Sequence, residues 1–197
     1  MRRLTAADGP AMLALRLEAL ALHPRDFIST PEEEAARPLP ETEATLARDH
    51  YLGLFDGETL VGIAGLAVHP KAKCAHKAEI RSVYVRAAQR GAGAAERLLR
   101  GLLEEAAGKV EEVRLGVSEG NGPALRLYTR LGFSQEGVEP RAIKLADGDY
   151  CAEITMVRRM PDAEVKTRAA AEGSRAASKD QKLAGLSIKE VISEGRQ

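Results

Sequence analysis

The chain is predicted to form a single mixed α/β domain with a polar tail, and three observations predict it. Segments with helical spacing of apolar residues alternate with β-branched segments bounded by turn residues. A length of 197 residues suits one domain with a sizeable core and is short for two full ones. The composition then changes at Pro161: from there to Gln197 no aromatic residue occurs, and Ala, Ser, Lys and Glu dominate. The expected division is therefore a domain at 1–160 and a tail at 161–197. Within the tail, Ser187 and Glu190 form a capping-box pattern beside Ile188, Val191 and Ile192, which predicts at most a short terminal helix.

The elements follow in order. Asp8 is placed to cap a first helix whose opening turn accommodates Pro10, and Leu13, Leu17, Leu20 and Ala21 share a face expected to be core. HPRDFISTPEEEAARPLPETE (23–43) predicts a loop leading to a second short helix that ends near Arg48, and this loop is expected either to border a substrate entrance or to be a plain connector. YLGLF, the turn DGET and LVGIAGLAV predict a hairpin, and AEIRSVYV a further strand. Leu98, Leu99, Leu102, Leu103 and Ala106 recur at helical spacing up to Gly108, and EEVRLGV starts another strand. Ala124, Leu127, Tyr128 and Leu131 lie on one face of a helix that ends at Gly132. FSQEGVEPRAIKL, the turn ADGD and YCAEITMVRRM close the domain as an antiparallel pair.

Composition excludes several functions. Lys plus Arg equals Asp plus Glu, 29 each, with 4% aromatic residues and no Trp, so neither a basic footprint nor stacking platforms for nucleic acid are present. The apolar N-terminal segment imitates a secretory signal, but Asp8, Arg16 and Glu18 interrupt it, and no uncharged stretch reaches membrane-spanning length. Cys74 and Cys151 lie far apart without a paired metal-ligand motif, and His23, His50 and His69 are scattered. No metal is expected, and a reducing, cytoplasmic setting is.

VYVRAAQRGAGAAERLL (83–99) runs from a strand through two glycines into a helix, an arrangement suited to an anion because amides at a helix start can approach it where no Cβ intervenes. The Lys-Ser/Thr pair of a P-loop does not follow Gly93, and Glu96 stands where a dinucleotide fingerprint needs its third glycine. The flanks sharpen the signal. Arg90-Gly91-Ala92-Gly93-Ala94-Ala95 resembles the (Gln/Arg)-x-x-Gly-x-(Gly/Ala) segment of the GNAT superfamily of acetyl-CoA-dependent N-acetyltransferases. Asn121, Ala124, Leu127, Tyr128, Gly132 and Phe133 resemble a second family motif in the correct order.

The resemblance implies a central, splayed, mostly antiparallel sheet flanked by helices, and acetyl-CoA as cosubstrate. It implies that the pyrophosphate sits on the amides of Arg90, Gly91, Ala92, Gly93, Ala94 and Ala95. The pantetheine arm pairs with the backbone at Val83 and Val85, and Asn121 caps its helix and contacts that arm. Ala87 departs from a proline frequent in the family, which loosens the turn without removing a catalytic group. Tyr128 matches the tyrosine that protonates the departing thiolate, the alternative being a plain core residue. Glu79 stands six residues before Val85, where histone-acetylating members carry a catalytic glutamate.

Even spacing along the strand puts Glu79, Arg81, Val83 and Val85 on one face, so Glu79 is expected to face the cleft and take the proton from the ammonium. The alternative for Glu79 is a strand-edge carboxylate paired with Lys77 or Arg81. Cys74 and His76, spaced to point alike, offer a covalent route with a cysteine nucleophile and histidine base, the alternative being chance occurrence in a loop before the strand. The expected activity is direct acetyl transfer to a primary amine, on a small molecule, a protein N-terminus or a lysine; the other reading is a non-catalytic acyl-CoA-binding sensor. The acidic run Glu32 to Glu34, if it borders the cleft, would favour a cationic acceptor. Family members are often dimers, which makes a homodimer a further expectation.

Overall fold

A computed structural model describes residues 1–161, and the expectations for Ser187 to Ile192 lie outside the described residues. The chain divides into two units, Met1–Met160 and Pro161–Gln197; the first is a seven-stranded sheet in the order β1-β2-β3-β4-β5-β7-β6. The strands are β1 (Arg2–Arg3), β2 (His50–Asp56), β3 (Thr59–Val68), β4 (Lys77–Val85), β5 (Glu112–Ser118), β6 (Ser134–Lys144) and β7 (Tyr150–Arg159). All neighbours run antiparallel except β4 and β5. The helices are α1 (Gly9–Leu22), α2 (Pro31–Ala36), α3 (Leu39–Arg48), α4 (Ala94–Ala106) and α5 (Gly122–Arg130). Among the described residues no helix is long and apolar enough to cross a membrane.

The parallel pair has a connection long enough to carry α4, which buries Leu98, Leu99, Leu102, Leu103 and Ala106. The predicted stripe is thus the observed one. On the other side of β2, β3 and β4, α1 contributes Met12, Leu15 and Ala19 to a core with Leu4, Leu46, Tyr51, Leu60, Ile63 and Tyr84. Close packing there requires glycine at 65, because a Cβ would come within 2.5 Å of the Tyr51 ring.

Three expectations change. The core face of α1 is Met12, Leu15, Ala19 and Leu20, whereas Leu13 and Leu17 are only partly buried and Ala21 is exposed. The helix is apolar nearly all round, so spacing alone selects no face, and packing on β3 does. Asp8 occupies the cap position of α1 without capping it by its side chain. Its carboxylate instead accepts from Arg2 and from the backbone N–H of Thr5. The segment read as a loop holds α2 before α3, and Arg2–Arg3, for which no element was expected, pair with β2 as a two-residue edge strand.

Candidate active site

The site originates in one extra residue of β4. On β3, Gly65 faces Arg81 and Ile63 faces Tyr84, so two β3 steps are matched by three on β4. This bulge contains Ser82, whose φ of +56 is unusual for a residue with a side chain. It is pinned from α1: Arg16 Nη1 donates to Ser82 Oγ at 2.6 Å, while its Nε and Nη2 donate to Glu34 at 2.9 Å each. Bending here carries β4 away from β5, and their pairing ends at Glu79 opposite Arg114. Beyond that point a cleft of about 650 Å³ opens, walled by Arg81 to Val85 on one side and Leu115 to Ser118 on the other.

The bulge also overturns the single-face expectation. By register, Glu79 and Arg81 lie on the face of Tyr84, towards α1, and Val85 lies on the opposite face. An extra residue inverts the alternation, and nothing in EIRSVYV announces it.

The glycine turn closes one end of the cleft. Gly91 and Gly93 have φ of +86 and +72, and a Cβ on either would meet nothing within 4 Å. Glycine is needed there for backbone conformation, and the space before it is open to a ligand. Gly93 caps α4, and the first helical bond in that turn runs from the Arg97 amide to its carbonyl, so the amides of Ala94, Ala95 and Glu96 have no helical acceptor. The open space, the donors and the dipole fit a pyrophosphate. Glu96, the one acid in this turn, is held by Arg100 at 2.6 Å.

Gly91, Gly93, Ala94 and Ala95 line the cleft, whereas Ala92 does not. The side chain of Arg90 also lines it and braces the turn: its Nε donates to the Val85 carbonyl at 2.8 Å, and its Nη2 lies 3.0 Å from His23 Nε2. Val83 and Val85 form part of the β4 wall.

Asn121 caps α5, its Oδ1 accepting from the Ala124 amide at 3.1 Å, and it borders the same cleft. Tyr128 is buried, lies edge-on to Phe133 and lines the cleft. Burial, with a smaller contribution from the negative charge of Asp26, pushes its phenol up to about 12. It therefore remains a proton donor throughout the physiological range.

Glu79 is exposed and sits where the strands part, next to the cleft but not in its lining. Neither neighbour considered for it is its partner, since Arg81 bonds to Asp49 and Lys77 lies 3.8 Å from Glu112. The acidic run does not line the cleft: Glu34 is buried against Arg16, and Glu33 closes the cap of α2 by accepting from the Thr30 amide. Cys74 lies in a 3-10 turn, and neither it nor His76 borders the cleft. Among the described residues no group of His, Cys, Asp and Glu could hold a metal.

Sequence reasoning missed Arg16 and Ser82, and also Glu153. The carboxyl group of Glu153, on β7, occupies the space over Gly116 that a side chain there would fill. Neighbours of this kind are set by strand order, which short motifs do not encode.

Fold and site define a protein that presents helix-start amides to an anion beside two parallel strands that part. The chain belongs to the acetyltransferase (GNAT) family, whose model matches residues 17–133. It is 36% identical over 107 residues to the N-alpha-acetyltransferase RimI of Mycobacterium tuberculosis (strain ATCC 25618 / H37Rv), a match spanning 54% of this chain and 66% of that protein. A ribosomal-protein-alanine N-acetyltransferase from Brucella melitensis superposes with a TM-score of 0.67 at 26% identity, covering 81% of this chain and 98% of that one. A GNAT superfamily phosphinothricin acetyltransferase from Sinorhizobium meliloti, solved in complex with acetyl-CoA, shares the fold with a TM-score of 0.68 at 21% identity, over 82% and 88% of the two chains.

Proposed function

We propose that this chain transfers an acetyl group from acetyl-CoA directly to a primary amine. The observation that carries the reading is the cleft between β4 and β5, bounded at one end by the glycine-initiated turn of α4. In this reading the amides from Gly91 to Ala95 hold the pyrophosphate, and the backbone at Val83 and Val85 aligns the pantetheine arm. The thioester carbonyl then lies between the walls near Tyr128, where the amine attacks.

Two proton movements accompany transfer. The acceptor enters as an ammonium and must give a proton to a carboxylate or to solvent before its lone pair can attack; Glu79, at the fork of the strands, draws the cation in. The departing thiolate then takes the phenolic proton of Tyr128, which regains one from the amide nitrogen as that nitrogen sheds its excess proton. Direct transfer is favoured over a covalent route because Cys74 stands outside the cleft. Tyr128 is 6% exposed, as a sensor module would have it, yet it lines the ligand cleft, which favours the enzyme.

The relatives' names, N-alpha-acetyltransferase and ribosomal-protein-alanine N-acetyltransferase, favour a polypeptide α-amine as acceptor. The reaction is placed in the cytoplasm, consistent with two free cysteines. A homodimer rests on the family resemblance alone. The test is free-thiol release from acetyl-CoA by the full chain, with alanine-, serine- and methionine-initiated hexapeptides, spermidine and lysine as acceptors. Amine-dependent release is expected, fastest with a peptide; no release with any amine would overturn the proposal.

A further inference from the structure

On the α1-facing side of the sheet, register places Glu79 beside Arg114, then Gly116 and Ser118 along β5, with Glu153 of β7 opposite Ser118 and Glu139 of β6 opposite Glu153. Gly116 is exposed and lines the cleft. An added Cβ there would lie 2.5 Å from the Glu153 carboxyl carbon and from Oε2, and 2.7 Å from Oε1. The carboxylate of β7 thus leans two residues along the sheet and comes to rest over the β5 wall, in the space the glycine leaves. It has neither a hydrogen bond nor an ion pair among the described residues.

We infer that Glu153 is a catalytic residue of the proposed reaction, the base that takes the proton from the acceptor ammonium at the β5 wall. This deepens the acetyltransferase reading and rests on it. The N–H bond of the ammonium breaks and an O–H bond forms on a Glu153 carboxyl oxygen; the freed lone pair attacks the thioester carbonyl, the C–S bond breaks, and the thiolate is protonated from Tyr128. The proton on Glu153 returns to solvent, so each turnover releases one proton, as conversion of an ammonium to an amide requires.

The surroundings suit the role. Partial burial comes first, then the negative charges of Glu139 and Glu79, and together they hold the Glu153 carboxyl above the ordinary range, making it a stronger base than an isolated glutamate. The cation on β5, Arg114, is engaged by Glu112 and Glu136. The loop after α1 adds Arg25 and Asp26 beyond Ser118, whose Oγ donates to the Arg25 carbonyl. Glu79, nearer the fork, attracts the ammonium and keeps Glu153 basic.

The test measures thiol release from acetyl-CoA with an alanine-initiated hexapeptide, for wild type, Glu153→Gln and Gly116→Ala. Both variants are expected to lose about 10²-fold in kcat near neutral pH, to leave the KM for acetyl-CoA unchanged, and to recover partly at alkaline pH as the amine deprotonates unaided. The Gly116→Ala change adds a methyl group whose three nearest neighbours are the flexible end of Glu153, so it displaces the carboxylate while leaving Glu153 in the chain. Wild-type kcat in both variants from pH 6 to 10 would overturn the inference while leaving the acetyltransferase reading intact. If wild type itself releases no thiol with any amine, that reading fails, and a carboxyl NMR titration decides the geometry separately. Glu153 is expected to titrate above an ordinary glutamate and to move down in Glu79→Gln; an ordinary, unmoved titration overturns the inference.

Discussion

The two ends of the cleft contrast in how they are built. The end proposed for the coenzyme is local: Gly91, Gly93 and the first turn of α4 are contiguous, and two backbone conformations with positive φ set the donors. The end proposed for the acceptor is assembled from distant segments: Gly116 from β5 and the bulge at Ser82 held by Arg16 of α1 in the lining, with Glu79 from β4 and Glu153 from β7 beside it. A local device can be carried unchanged from one protein to another, whereas an assembled one changes whenever a single strand contributes a different side chain. This difference explains how one fold can serve many amines.

The largest effect should come from the local end. Gly93→Glu introduces a side chain at φ +72 and a negative charge where the anion approaches, so acetyl-CoA is expected to lose all of its stabilising effect on thermal unfolding, with turnover abolished. A melting curve still raised by acetyl-CoA in this variant would move the coenzyme site elsewhere.

Next comes Tyr128→Phe, which keeps the ring and removes the donor. About 10²-fold of kcat is expected to go without rescue at alkaline pH, where no proton source is gained, while acetyl-CoA binding persists; steady-state kinetics from pH 6 to 10 make the check. Glu79→Gln is expected to cost less, roughly tenfold, with partial recovery as pH rises, because its carboxylate attracts the ammonium and Glu153 takes the proton. Equal losses in Glu79→Gln and Glu153→Gln would merge the two roles and blur the division drawn at the acceptor end.

A smaller effect concerns stability. Tyr128 titrates at about 12 in the folded chain, whereas an unfolded tyrosine titrates near 10. The folded pKa is the higher, so the contribution is fully present below pH 10 and is lost as pH rises through 12. Denaturant unfolding is expected to show an alkaline decline on the order of 2–3 kcal/mol that Tyr128→Phe lacks. Identical slopes in the two proteins would mean that the phenol is better solvated than its burial implies.

The same contrast governs what the sequence made legible. The turn from Arg90 to Ala95, the stripe of α4, the Asn121 cap and the closing β6–β7 pair follow from neighbours within a few positions, and each was readable. The α1 face was misread because leucine and alanine surround the helix, so that only β3 decides which side is buried. The common face proposed for Glu79 and Val85 failed at Ser82, an ordinary residue whose bulge depends on Arg16, 66 positions earlier. Glu153 carries no motif at all; its place over Gly116 follows from β7 lying between β5 and β6.

The central claim is that the fork between β4 and β5 receives the coenzyme along the α4 turn. Amide NMR of the labelled full chain, titrated with desulfo-CoA, tests it without any assumption about the acceptor. The account predicts that the largest shifts fall on Gly91 to Ala95, with Val83 and Val85 next and Asn121 and Tyr128 following. Shifts centred instead on the loop from Leu22 to Asp26 and on Tyr150 to Ala152, around the neighbouring cavity of about 640 Å³, would contradict it.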